Sequence, residues 1–94
     1  MTTTAISAVV PRMRVTLEGR ATSVQAYVLP WVRVDVEFSD CTGSIVLRFL
    51  GRSVVPGMER GRRLRAEGTP AVVAGSLLML NPLYTYLPDD GQAG

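Results

Sequence analysis

Between Val32 and Leu50 the chain alternates apolar and polar residues with period two, and the alternation is broken only by Asp40-Cys41-Thr42-Gly43. Val32, Val34, Val36 and Phe38 share one face, and Arg33, Asp35, Glu37 and Ser39 share the other. After the break, Ile45, Leu47 and Phe49 resume the apolar face. Alternation of this kind is the signature of half-buried strands, and a short Asp/Gly-containing break is a hairpin turn. Pairing Ser39 with Ser44 sets Phe38 opposite Ile45, Val36 opposite Leu47 and Asp35 opposite Arg48. A slip of one residue would turn one whole apolar set into water, so the pattern specifies the register. Asp40 is suited to accept hydrogen bonds from the turn backbone, and Gly43 is expected in a left-handed conformation. Cys41 then sits in an exposed turn, with no histidine or lysine near it to activate its thiol.

The rest of the chain supplies further strands. Val15, Leu17, Gly19 and Ala21 share a face, and Gly19 within that run suggests a bulge or sharp bend, which lets a long first strand serve both sides of a small barrel. Gln25 to Trp31 reads as a connection interrupted by Pro30. Gly51 to Arg62 reads as a loop with at most one helical turn. Arg63 to Gly68 is a fourth strand with Leu64 and Ala66 inward. Ala74-Gly75 is a hairpin turn into a fifth strand, Ser76 to Leu80, which Asn81-Pro82 ends; Tyr84 to Tyr86 adds a short edge segment. The expected organisation is a flexible N-terminus (1–5), one domain (6–87) and a flexible acidic tail (88–94). This order of five strands suits an all-β, five-stranded Greek-key OB-fold barrel. It ranks above an SH3-like barrel, which lacks the long bent first strand.

Composition excludes several kinds of chemistry. Ninety-four residues make one small domain, and a 47% hydrophobic fraction suits a folded one. All ten basic residues are arginine, and histidine is absent. That removes Ser-His-Asp and Cys-His catalysis, lysine Schiff bases, and phosphate loops of the Gly-Lys-Ser/Thr kind. One cysteine and no histidine make no zinc site. The expectation is a non-enzyme without metal or cofactor. No apolar run approaches the roughly 18 residues of a membrane span, no signal-peptide pattern is visible, and a cytoplasmic location is expected. Before the Asp89-Asp90 tail, ten arginines face six acids, a net +4 that suits polyanion binding.

The stretches PRMRVTLEGRATSV, DCTGSIVLRFLGR, VPGMERGRRLRAEG and LNPLY resemble a family of small OB-fold proteins. That family occurs as stand-alone actinobacterial chains, and its pattern recurs in the wedge domain of RecG-type helicases. The likeness runs from about Ile6 to Tyr86. Its motifs are the glycine at the first-strand bend, Asp-x-Thr-Gly at the hairpin turn, Pro-Gly before the fourth strand and Asn-Pro after the fifth. The turn differs in carrying Cys41 where the family has glycine, and the first loop is apolar here instead of polar or basic. The resemblance implies a module that binds single-stranded or junction-like nucleic acid, DNA first, with low sequence specificity.

OB barrels bind single strands on the outer face of their second and third strands. On this sequence that projection selects Tyr27 and Trp31 for stacking and Arg33, Arg48 and Arg52 for phosphates, with Arg65 on the outward parity of the fourth strand. Two readings of Arg48 stand: a phosphate contact, or a cross-strand pair with Asp35. Trp31 either presents a stacking face or caps the core. Arg33 and Arg65 are either contacts or ordinary solvated surface. A second functional class also fits, in which the apolar YVLPW loop and the third strand form a protein-protein or homodimer interface.

Overall fold

The computed structural model describes residues 2–88. The acidic tail beyond Pro88 therefore lies outside the described residues. Near the N-terminus the Thr4 N–H donates to the Thr16 carbonyl (2.8 Å), and a single 3-10 turn, Ile6–Ala8, buries Ile6. Seven strand segments follow: β1 (Val15–Tyr27), β2 (Arg33–Ser39), β3 (Ser44–Leu50), β4 (Arg63–Gly68), β5 (Pro70–Val73), β6 (Ser76–Leu80) and β7 (Leu83–Tyr86).

The sheet runs in the order β5-β6-β3-β2-β1-β4-β7, antiparallel throughout except for the parallel pair β3–β6. β4 and β5 lie towards opposite ends of that order, yet only Thr69 separates them in the chain. The chain itself thus ties the two ends of the sheet together and curls it. The five expected strand paths are present. The fourth is β4 and the fifth is β6; the expected edge segment is β7, paired with β4, and β5 before the Ala74-Gly75 turn is additional.

The β2–β3 hairpin has the expected register, with Ser39 opposite Ser44, Phe38 opposite Ile45, Val36 opposite Leu47 and Asp35 opposite Arg48. Val36, Phe38, Leu47, Leu17, Leu64 and Met79 are wholly buried. Each such large side chain contributes about 2 kcal/mol relative to exposure. Gly19 is the hinge of the long first strand. Residues 15–20 of β1 pair with β4, and residues 20–27 pair with β2, with a register shift between Ala21 and Ser23. β1 therefore passes from β4 to β2 at Arg20, one residue after Gly19, and its bulge lies at Thr22.

Three expectations need correction. Gln25, Ala26 and Tyr27 belong to β1, not to a connection, because Arg33 to Asp35 offer them ladder partners. Val32 precedes β2 and is exposed instead of inward. Gly43 does not have a positive φ; a Cβ there would meet Ile6 Cγ2 at 3.3 Å, so close packing is what its lack of a side chain serves. The loop from Gly51 to Arg62 keeps within the expected limit of one helical turn, having no helix, and it buries Val55 and Met58 in the core.

The turn that opens this hairpin is held by Asp40. Its carboxylate accepts hydrogen bonds from the N–H groups of Thr42 (2.7 Å), Ile6 (3.0 Å) and Gly43 (3.1 Å), and from the Thr42 hydroxyl. Partial burial pushes the Asp40 pKa up, but the hydrogen bonds outweigh it and hold the carboxyl below its ordinary value. A depressed folded-state pKa stabilises fully above the unfolded pKa and is lost as pH falls through the folded one. Asp40→Ala is expected to cost about 2 kcal/mol at neutral pH, lowering Tm by roughly 10 °C. In thermal melts, the gap between variant and wild type should narrow below about pH 4. An equal gap at pH 7 and pH 3 would show that the charge is not what holds the turn.

Candidate nucleic-acid interface

Strand parity places three rows on the outer face of β1, β2, β3 and β6. The registers align Tyr27 with Arg33 and Leu50, then Gln25 with Asp35, Arg48 and Leu80, then Ser23 with Glu37, Val46 and Leu78. The middle row carries an ion-pair cluster. Arg48 donates to both oxygens of Asp35, Nε to Oδ1 at 2.9 Å and Nη2 to Oδ2 at 3.1 Å. Arg33 Nε reaches Asp35 Oδ2 at 3.4 Å, and the Arg33 guanidinium lies over the Tyr27 ring, 4.3 Å from its centroid. Burial raises the Asp35 pKa, but the two arginines outweigh it and hold the carboxyl below its ordinary value. Of the two readings of Arg48, the cross-strand pair is the one this geometry contains.

Beside this cluster lies a groove of about 580 Å³ lined by Trp31, Val32, Arg48, Leu50, Gly51, Val73, Leu78 and Leu80. Trp31 stands at its rim, 65% exposed, so the ring is a surface and not a cap on the core. Leu80 and Leu50 are also open, at 50% and 41%. Gly51 N–H donates to the Val32 carbonyl (2.8 Å), extending the hairpin ladder by one bond, so Trp31 and Arg52 leave it from adjacent positions. Arg52 is exposed, lines a second groove with Leu50, Asn81 and Tyr84, and has no acid or ring partner among the described residues. Asn81, which lines this second groove, ties the end of β6 to β3. At φ 46° it donates its N–H to the Arg48 carbonyl (2.7 Å) and accepts from Leu50 N–H (2.9 Å) through Oδ1.

The fold thus brings Tyr27, Trp31, Arg33, Arg48 and Arg52 to one region. It does not bring Arg65 there. Arg65 sits on β4 opposite Glu18 and donates two hydrogen bonds to Glu18 Oε2, at 2.9 and 2.7 Å. Glu18 is nine residues from Tyr27 along β1. Tyr84 and Tyr86 pack against the core: Tyr84 lies edge-on to Phe49 at 5.4 Å, and the Tyr86 hydroxyl donates to the Pro56 carbonyl. The far wall of the main groove, Val73, Leu78 and Leu80, was not anticipated as part of a site. The signal for it was present in Leu77-Leu78-Met79-Leu80, apolar at both parities, as in a strand whose two faces are both in use. Cys41 is an exposed free thiol in its turn.

No family model and no curated protein matches the sequence. Among solved structures, the chain is similar to the second OB-fold domain of replication protein A from Methanococcus maripaludis. The TM-score is 0.72 at 12% identity, covering 95% of this chain and 98% of that one. It is also similar to a chain in a replication protein A heterotrimer bound to ssDNA, with a TM-score of 0.67 at 14% identity. That match covers 81% of this chain and spans 58% of the other. The fold is the OB fold. Within it, the groove lies on the outer face of the second and third strands, between the loop of residues 28–32 and the β5–β6 hairpin. The turn of that hairpin, Ala74-Gly75, has both φ angles positive, at 51° and 81°, as a two-residue hairpin turn requires. Among the described residues, no helix is long and apolar enough to cross a membrane.

Proposed function

We propose that this chain is a non-catalytic OB module that binds single-stranded or junction-like nucleic acid, DNA first, with little sequence preference. One observation carries the reading: the exposed Trp31 ring at the rim of an apolar groove on the outer β2–β3 face, with Arg52, which has no acid partner among the described residues, lining the neighbouring groove. An indole offers a flat surface to any base, and a nearby guanidinium offers a cation to the backbone. The replication protein A heterotrimer bound to ssDNA, whose chain shares this fold, supports the same assignment. In this reading Trp31 stacks on a base and Arg52 contacts a phosphate, while Arg33 and Arg48 order the face through Asp35 and Tyr27. Arg65 takes no part. The domain runs over residues 6–87, works in the cytoplasm without metal or cofactor, and is kin to the RecG wedge domain through the four shared motifs.

The test is fluorescence anisotropy of a labelled mixed-sequence single strand, titrated at low and moderate salt. Saturable binding that weakens with salt is expected. Arg52→Ala should reduce the salt slope by about 0.7, the counterion release of one phosphate on a single strand. Absence of binding at low salt with protein in the tens of micromolar would overturn the reading. The apolar lining of the groove favours a second reading, a protein-interaction or homodimer surface, which sedimentation of the unliganded protein would reveal as self-association.

A further inference from the structure

We propose that Asp35 makes this face select unpaired bases over bare phosphate backbone, because its carboxylate already occupies the guanidiniums that a phosphate would need. The inference rests on the reading of the β2–β3 face as a nucleic-acid site.

Arginine binds carboxylate and phosphate with the same planar fork. Arg48 has spent that fork on both oxygens of Asp35, at 2.9 and 3.1 Å. Arg33 directs its Nε to the same carboxylate and holds its guanidinium over the Tyr27 ring. The three side chains are partly shielded from water, at 16%, 17% and 28% exposure for Arg33, Asp35 and Arg48, so these bonds are less screened than ordinary surface pairs. A phosphate arriving here exchanges one charge-assisted bond for another of the same kind and gains little. A base arriving in the groove meets Trp31, Leu50, Leu80 and Val73 and displaces no such bond. The face therefore discriminates on bases, and the size of that discrimination is set by Asp35.

Glu37 provides an internal control. It lies on the same outer face two residues away, and its carboxylate accepts from the Thr22 hydroxyl (3.4 Å) and holds no arginine among the described residues. Removing its charge changes the general field of the face but releases no fork.

The experiment compares wild type, Asp35→Asn and Glu37→Gln against a mixed-sequence single strand and an abasic strand of equal length, at two salt concentrations. Thermal melts verify that each variant is folded. Wild type is expected to prefer the intact strand by at least about tenfold. Asp35→Asn should tighten the abasic strand by about tenfold and the intact strand by about threefold, with the salt slope steeper by about 1.4, the release from two phosphates. Glu37→Gln should move neither affinity by more than about twofold. A variant Asp35→Asn that binds the abasic strand no better than Glu37→Gln does, or that weakens both strands, overturns the inference while wild-type binding keeps the site. Failure of wild type and Asp35→Asn to bind either strand removes the site and the inference together. A second variant stands independently of Asp35 folding effects: Arg48→Gln should leave the salt slope unchanged. A slope shallower by about 0.7 would mean that Arg48 already holds a phosphate, and would overturn the inference.

Discussion

Gly19→Ala is expected to destabilise the domain by about 4 kcal/mol, close to the limit of what a chain of this size tolerates. The argument is one of contact. A Cβ at Gly19 would lie 2.2 Å from the Ser39 carbonyl oxygen, 2.9 Å from the Ser39 carbonyl carbon and 3.3 Å from the Asp40 nitrogen. All three are backbone atoms, so no side chain can swing aside. Relief requires β1 and the end of β2 to separate where β1 passes from β4 to β2, and there Arg20 pairs with both Arg63 and Ser39. The same movement would strain the Asp40 turn, which begins one residue later. Gly51 is the comparison. Its φ is 78° and nothing lies within 4 Å of its would-be Cβ, so Gly51→Ala carries only a conformational penalty of about 1 kcal/mol. Chemical denaturation of both variants should therefore give midpoints far apart, with Gly19→Ala partly unfolded in buffer. Equal losses would mean that β1 can shift away from Ser39 at little expense, and that the bend is not set by this contact.

What was legible in the sequence follows from how many independent constraints each feature carried. The β2–β3 register was readable because two apolar faces and one turn all demanded the same pairing, and Asp35 opposite Arg48 came with it. The barrel order was readable from Gly19, the two hairpin turns and the long crossing between them. The ion pair of Arg65 with Glu18 was not, since it depends on a β1–β4 register that no turn connects. The burial of Val55 and Met58 was missed because a Pro-Gly loop has no periodicity, although its apolar residues could have hinted at a plug for the barrel. Tyr27 looked like loop because Pro30 follows it, whereas the ladder runs on until its partners end at Arg33. The candidate site itself was half readable. Parity could place arginines on the outer face, but whether a given arginine meets an acid or water is decided by neighbours on other strands. Hence Arg48 and Arg33 are committed to Asp35, and Arg52, beyond the ladder, is not.

Trp31→Ala should lower affinity for a single strand by about thirtyfold, the middle of the range that base–aromatic stacking is worth. The loss should be nearly the same at low and moderate salt, because the indole carries no charge and releases no counterion. That pattern separates it from Arg52→Ala, whose effect should fade as salt rises. Stability should change by less than about 0.5 kcal/mol, since the ring is largely exposed and supports no core side chain. Trp31→Phe should recover much of the affinity, a smaller ring being still a stacking surface. The chain has a single tryptophan, so intrinsic fluorescence reports on this ring alone, and saturable quenching by an unlabelled strand should track the anisotropy. The competing reading predicts the opposite pairing of results. If the groove is a self-association surface, Trp31→Ala should shift the sedimentation coefficient towards a monomer and leave anisotropy unaltered. Affinity and association state therefore respond separately to the same substitution, because bases and a second protein copy would use one groove through different forces: stacking with a salt-sensitive backbone contact at Arg52 in the first case, and burial of Trp31, Leu50 and Leu80 alone in the second.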